Sequence, residues 1–526
     1  MKRPLIFALM RSSEALSRKF VLTLSARTGV AIVGLAVTPI YLRFLGPQAY
    51  GLVGFWIIAQ AWMIVFDLGV SPAVARQLSR FKAGVLDSRE AGSLLFVGEL
   101  IFAALALLAA AAFFLLAPQM RAHWLGRSSL AAGEVELALK LMGALLAVRW
   151  LTGFYQSALM GLERQVESNC VALAGLALRS AASVACLAFV AADPAVFFWA
   201  QLAGAAIEAV ANRILLWRLG PAGRPDWKAG WRALRAEGRF AATVAVGCLI
   251  ATLINEVDKL ALSHALPLGD FGLFSLVVTI CTGVRVVMPP ILGLVQPRLT
   301  ALIAQGRQVE FFGLYRLSSC LVVVLAGALA GTLAAQPQAV LLAWTGSAAV
   351  AAKISTVLSL YALGAGLSAL MVLPFLLQYA AGRAGLHLTG NLIFGAFWIP
   401  AAVWAAFRFG AIGTGAVGLI GNLGFLLLWR PIVHRTFLTR GERRDLAKEE
   451  WAMIAAMAAV LLAARLLVDA SHSRAGALSI VGVVAALAGA AGVGASRTLR
   501  SYAARALAVR DWRSPASLAA HAGLER

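Results

Sequence analysis

The sequence predicts an all-α integral membrane protein of about fourteen transmembrane helices: two six-helix halves and a C-terminal pair. Three observations predict it. Apolar stretches of about 20 residues, each long enough to cross a ~30 Å hydrocarbon core as a helix, follow one another from Phe20 to Val493. Loops rich in Arg and Lys alternate with loops nearly free of both, as cytoplasmic and exterior loops do. The chain also contains an internal duplication, with an offset of 272 − 51 = 221 between Gly51 and Gly272.

The composition agrees. Of 526 residues, 61% are hydrophobic and only 13% charged, with a mean hydropathy of +0.83. A soluble domain cannot cover that much apolar surface with so little charge. The formal net charge of +22 would suggest nucleic acid in a soluble protein. Here the cations are spread over loops that would face anionic lipid, and no polar domain carries a basic patch interleaved with aromatics, so membrane lipids and no nucleic acid are the expected partners.

The expected spans fall at 20–44, 49–74, 93–117, 137–160, 170–192, 195–219, 240–265, 270–297, 316–336, 355–380, 386–407, 411–430, 450–469 and 475–494, followed by a basic amphipathic tail. With the N-terminus inside, the interior loops hold Arg76, Arg80, Lys82 and Arg89, then the cations between Arg213 and Arg239, then those between Arg430 and Lys448. The exterior loops hold only Arg43, Arg121, Arg127, Lys353, Arg408 and Arg474. A missed span would scramble the alternation downstream, so both termini are expected in the cytoplasm. Reporter fusions after Leu219 and after Arg444 should read cytoplasmic, and one at Leu266 external; an external signal after Arg444 would overturn this topology.

The duplication aligns Leu45-Gly46-Pro47-Gln48-Ala49-Tyr50-Gly51-Leu52 with Leu266-Pro267-Leu268-Gly269-Asp270-Phe271-Gly272-Leu273, and Gly161 with Gly382 at the same offset. The shift covers an even number of helices, so the halves run in the same direction, related by an axis along the membrane normal. Carriers with such repeats bind substrate between them and rock. The expected divisions are 1–219 and 240–430 for the halves, 220–239 for a cytoplasmic linker, 450–494 for the accessory pair and 495–526 for the tail. Asp67-Leu68-Gly69 with Pro72, and Met288-Pro289-Pro290 with Gly293 and Pro297, interrupt two spans. Each is a flexing point during transport or a fixed kink.

Ionisable groups within spans are the sharpest functional clues, because a charge at the bilayer centre costs about 2.5–3.5 kcal/mol even on lenient scales. The arginines are Arg27, Arg149, Arg179, Arg285 and Arg465; the others are Asp67, Glu99, Glu208, Glu256, Asp258 and Lys259. Guanidinium stays charged and forks onto phosphate oxygens, so Arg27, Arg285, Arg149 and Arg179 are the candidate substrate-binding residues. Arg149 and Arg179 have a second reading, pairing with Glu99 or Glu208 across helices. Arg465 reads as a snorkelling side chain. In Asn255-Glu256-Val257-Asp258-Lys259, Glu256 shares a helix face with Lys259 and Asn255 with Asp258, as a neutralised helix end or as a substrate or coupling-ion site. Asp67 is a further polar candidate. The five cysteines show no CxxC or Cys/His spacing and read as small buried hydrophobes; no metal site or cofactor is expected.

Pro39-Ile40-Tyr41-Leu42-Arg43-Phe44-Leu45-Gly46, then Tyr50-Gly51 and Asp67-Leu68-Gly69, resembles the opening of bacterial polysaccharide-biosynthesis flippases of the multidrug/oligosaccharidyl-lipid/polysaccharide exporter superfamily. Gly161-Leu162-Glu163-Arg164 resembles the turn after their fourth helix, and Asp258-Lys259 with Gly269 and Phe271-Gly272 the start of their second half. The similarity covers residues 20–430; the last two helices fit by count. The resemblance implies a fourteen-helix carrier for undecaprenyl-pyrophosphate-linked oligosaccharide in the plasma (inner) membrane, with a polysaccharide polymerase and glycosyltransferases as partners. Related lipid II flippases use arginines of their first, second and eighth helices. Arg27 and Arg285 fall in the first and eighth spans, but Arg76 lies only at the inner end of the second, which points to a different head group. The alternatives are a cation-coupled multidrug exporter of the same superfamily, which favours an acidic cavity, and a polytopic glycosyltransferase or polymerase, which needs a larger exterior loop than 118–136. A carrier changes no covalent bond, so no catalytic residue is expected.

Overall fold

A computed structural model describes residues 14–125, 128–221, 226–286, 288–468 and 473–511, with side chains before Gly29 outside that description. Among the described residues every regular element is helical, because apolar chain in lipid must satisfy its backbone within each segment. In chain order the helices are α1 (Glu14–Phe66), α2 (Val70–Lys82), α3 (Ser88–His123), α4 (Ala132–Gly161), α5 (Gln165–Phe189), α6 (Pro194–Leu219), α7 (Trp227–Ala236), α8 (Gly238–Ala265), α9 (Leu268–Val286) and α10 (Met288–Ala304). Then come α11 (Gln308–Ala335), α12 (Pro337–Thr345), α13 (Ala348–Leu370), α14 (Val372–Ala380), α15 (Ala384–Gly424), a π-helical turn Phe425–Trp429, α16 (Arg430–Phe437), α17 (Arg440–Leu467), α18 (Arg474–Ala495) and α19 (Arg497–Asp511).

Twelve helical stretches are long and apolar enough to cross a membrane among the described residues. Two are double: the backbone leaves the helical region at Gly46 in α1 (φ 70°) and at Gly410 in α15 (φ 60°). Dividing them there resolves the twelve into fourteen segments. The protein is thus a multi-pass, all-helical membrane protein.

The first sequence interruption is a real break. The second expected span stops at Phe66, where Leu68 (φ 52°) and Gly69 (φ 73°) enter the left-handed region and the chain restarts as α2. Asp67 holds the restart, its Oδ1 accepting from the Ser71 amide at 2.9 Å. Gly69 is required twice over: its φ disfavours a side chain, and a Cβ there would overlap the Ala241 carbonyl. The eighth expected span is described as α9 and α10 on either side of residue 287, which lies outside the described residues.

The chain forms two compact units. The first runs to Leu276 and adds Gly395–Ala411; the second comprises Val277–Phe394 and the chain from Ile412 on. In lipid, burial of apolar groups gives little drive for helix association, so close packing and polar contacts must hold each unit. In the first unit, Val74, Leu78, Leu94, Leu95, Trp150 and Leu216 pack with Phe102 and Phe154, whose rings stack at 4.7 Å. In the second, Gly327 and Gly331 of α11 and Gly492 of α18 bring Met457 and Leu461 of α17 into close contact. The polar hub of that unit is Glu449 on α17, which accepts from Arg316 at 2.6 Å, from the Ser496 hydroxyl at 2.7 Å and from the Thr498 amide at 2.7 Å. The neighbouring Glu450 accepts from Arg430 at 2.6 Å. The accessory pair α17–α18 is therefore fastened to α11 by small-residue packing and the Arg316–Glu449 ion pair, and to α16 by Arg430–Glu450.

Of the five cysteines, only Cys281 and Cys320 are buried; Cys186 and Cys248 are half-buried and Cys170 is exposed on α5. The expectation of five buried thiols is corrected. An apolar run fixes a helix, and only packing decides which of its faces meets protein.

Candidate functional site

The most concentrated buried charge in the first unit lies where α4, α5 and α6 meet. Each helix contributes one ionisable residue near its middle: Arg149, Arg179 and Glu208. Small residues make the meeting possible. A Cβ on Gly204 of α6 would overlap the Cβ of Arg179, and one on Gly175 of α5 would lie 2.8 Å from the Glu208 carboxylate. These two glycines leave the space in which the charged side chains sit.

Glu208 Oε2 accepts from Arg149 Nη1 at 3.0 Å and also from Arg179 Nη1. Oε1 accepts a longer bond from Gln156 Nε2 at 3.3 Å. The carboxylate is 1% exposed, against 17% and 13% for the two arginine side chains. Above this group Gln201 Nε2 donates to the Tyr41 hydroxyl at 3.2 Å and to Ser183 Oγ at 3.1 Å. Among the described residues, two guanidiniums on one carboxylate leave one positive charge without a counter-ion. Each guanidinium has five N–H donors in a planar fork, and the carboxylate engages only one from each. The arrangement can accept an oxyanion; it repels a free cation.

Glu99, the other carboxylate considered for Arg149 and Arg179, is engaged elsewhere. It accepts from Tyr155 at 2.8 Å, from Arg213 Nε at 2.6 Å and from Trp217 Nε1 at 3.0 Å. Arg76, at the end of the second span, pairs with Glu237 at 2.8 Å and lies over the Phe240 ring.

Among the described residues, none of the remaining candidates takes part in those hydrogen bonds. Arg27 falls in α1 among side chains outside the described set. Arg285, near the end of α9, belongs to the second unit, is exposed, and forms no ion pair among the described residues. On α8, Lys259 Nζ reaches Glu256 Oε2 at 3.1 Å and Asp258 Oδ1 at 3.7 Å, and donates to the Asn255 carbonyl. The Asn255 amide turns back to the Ala251 carbonyl at 2.7 Å. This cluster has two carboxylates to one ammonium, the opposite polarity to the arginine pair. Asp67 caps α2 as described above.

Sequence reasoning missed the two acids of α17. Glu449 and Glu450 are buried beneath Arg316 and Arg430, and His434 Nε2 hydrogen-bonds the Tyr315 hydroxyl at 2.9 Å beside them. The available signal was two adjacent carboxylates at the head of an apolar run, in a chain with only 24 acidic residues.

Known structures share this architecture. A lipid II flippase, MurJ, in an inward closed conformation superimposes with a TM-score of 0.63 at 12% identity, over 89% of this chain and 98% of the flippase. The Vibrio cholerae MATE transporter VcmN gives 0.56 at 16% identity, over 80% and 98%. An inward-facing multidrug resistance MATE family transporter of the MOP superfamily gives 0.55 at 13% identity, over 79% and 98%. At such identities the likeness concerns the fold alone. No protein of curated function matches the sequence. The profile of the polysaccharide biosynthesis proteins matches residues 16–302, more than half of the chain. The fold and this match meet in one conclusion: the chain belongs to the polysaccharide biosynthesis protein family.

Proposed function

We propose that the protein translocates undecaprenyl-pyrophosphate-linked oligosaccharide across the plasma membrane by alternating access, with both termini in the cytoplasm. The observation that carries this reading is the positive charge left over where Arg149 and Arg179 share Glu208. A pyrophosphate supplies the missing anion, and guanidinium forks fit its oxygens two at a time. Arg27 and Arg285 join the set as arginines placed within expected spans. Family membership supports the substrate class, since a surface polysaccharide is assembled on a lipid that must cross the membrane. A polymerase and glycosyltransferases would act before and after this step.

The test is export of lipid-linked oligosaccharide in cells lacking the chromosomal copy. Alanine at Arg149 or Arg285 should reduce export at least tenfold while leaving the protein in the membrane. Lysine at either position should restore part of it, because an ammonium keeps the charge and loses the fork. Wild-type export by both alanine variants at normal expression would overturn the assignment.

A second reading, a cation-coupled multidrug exporter, draws on the Glu256–Asp258–Lys259 cluster, whose carboxylates are the groups that would take a proton or metal cation. It requires drug efflux that depends on an ion gradient. Unchanged drug resistance on overexpression, with export lost on deletion, separates the two.

A further inference from the structure

A cavity of about 430 Å³ lies in the second unit, at the end where α11 and α17 terminate and α13 begins. The cation pattern assigns that end to the exterior. Its polar lining among the described residues is Gln336, Gln338, Ser355, Thr356, Ser359 and Arg465. The three hydroxyls come from one stretch of α13, two of them stacked at i and i+4. Their neighbours fix them in place: Ser359 Oγ donates to the Ala334 carbonyl at 2.9 Å, and Gln336 Nε2 donates to the Ala464 carbonyl at 2.8 Å. These bonds leave the hydroxyl lone pairs of Ser359 and the amide oxygen of Gln336 to accept.

Arg465 is the residue that needs explaining. Among the described residues its Nη1 makes long contacts, 3.4 and 3.3 Å, with the carbonyls of Ala334 and Ala335 at the end of α11. Attraction to a helix C-terminus is worth about 0.3–1 kcal/mol, and an exposed arginine in the last turn of α17 reaches the interface by snorkelling. Helix-end attraction explains neither the hydroxyl row nor the cavity in front of it. A guanidinium beside three hydroxyls and two amides is a recognition set for an oxyanion joined to a polyhydroxylated ring. The volume lies within the range of small-ligand sites, and the Arg465 charge disfavours cationic ligands.

We propose that this cavity binds a phosphate-bearing sugar, the phosphate on Arg465 and the ring on Ser355, Thr356, Ser359 and the glutamine amides. It is a second site, distinct from the Arg149–Arg179 pair and formed only because α17 packs on α11. If the carrier reading holds, it receives the head group at the exterior end. Binding is measured without export, so a chain that binds and does not export leaves the site standing, and one that exports without binding removes it.

The experiment is equilibrium binding of radiolabelled hexose 1-phosphate to the full chain in phosphatidylcholine nanodiscs. Saturable binding is expected, with at least tenfold weakening in Arg465→Gln, since hydrogen bonds to a charged group contribute about 1.5–3 kcal/mol and 1.4 kcal/mol is tenfold. Thr356→Phe, which fills the cavity from an exposed position, should abolish binding with helix content and monodispersity unchanged. Unaltered binding in Thr356→Phe would overturn the site. Equal competition by inorganic phosphate, or loss of binding in phosphatidylglycerol discs, would overturn the sugar part of the assignment.

Discussion

Glu208→Ala is expected to be the most damaging single substitution in the first unit. Removing the carboxylate leaves Arg149 and Arg179 facing each other, 17% and 13% exposed, with no anion between them. Breaking a buried ion pair by deleting one partner costs about 3–5 kcal/mol, most of it from the charge left behind. The variant should show a large fall in the temperature of half-unfolding in detergent and a reduced yield from membranes. Replacing all three residues by leucine should recover most of that stability, because well-packed apolar groups commonly match or exceed a buried ion pair. The same triple variant should export nothing if the leftover charge serves the substrate. Stability and function thus move in opposite directions between the two variants. A stable triple variant that exports at the wild-type rate would reduce the triad to a structural brace.

Much of this arrangement was legible in the residues, and the boundary is physical. Hydrophobic length and the cation alternation predict fourteen segments, and the backbone breaks at Gly46 and Gly410 recover that number among the described residues. Asp67-Leu68-Gly69 reads as a weak point because glycine and a short acid favour turns; that Leu68 itself takes a positive φ and that Gly69 lies against Ala241 are seen only in the structure. Periodicity places Arg149, Arg179, Glu99 and Glu208 inside helices. It does not say which acid each arginine meets, since that depends on how α4, α5 and α6 rotate against one another. The glycines at 175 and 204 decide it, and a lone glycine in an apolar helix carries no mark of its neighbour. The ion pairs of Glu449 and Glu450 escaped for the same reason: they join elements more than a hundred residues apart in the case of Arg316.

The duplicated turns supply the other large expectation. Gly51 and Gly272, matched by the offset of 221, lie against each other's segment in the first unit. A Cβ on Gly272 would overlap the Pro47 carbonyl and come within 2.8 Å of the Gly51 amide nitrogen; one on Gly51 would overlap the Leu268 carbonyl. Both obstacles are backbone, so no side-chain rotation relieves them, and the helices must separate. Overpacking of this kind costs about 1–3 kcal/mol and often more, and small residues at such crossings are what let membrane helices approach. Gly51→Ala and Gly272→Ala should therefore each lower export at least tenfold and raise the reactivity of a cysteine placed at Gln48, as the two turns part. Gly54 provides a graded comparison, because its obstacle is the Ser275 side chain: Gly54→Ala should be impaired, and Gly54→Ala with Ser275→Gly should regain function. Gly247, on α8 with open space at its Cβ position, should accept alanine without effect. Normal export by Gly272→Ala, with Gln48→Cys as protected as in the parent, would show that the close crossing of the repeats is dispensable.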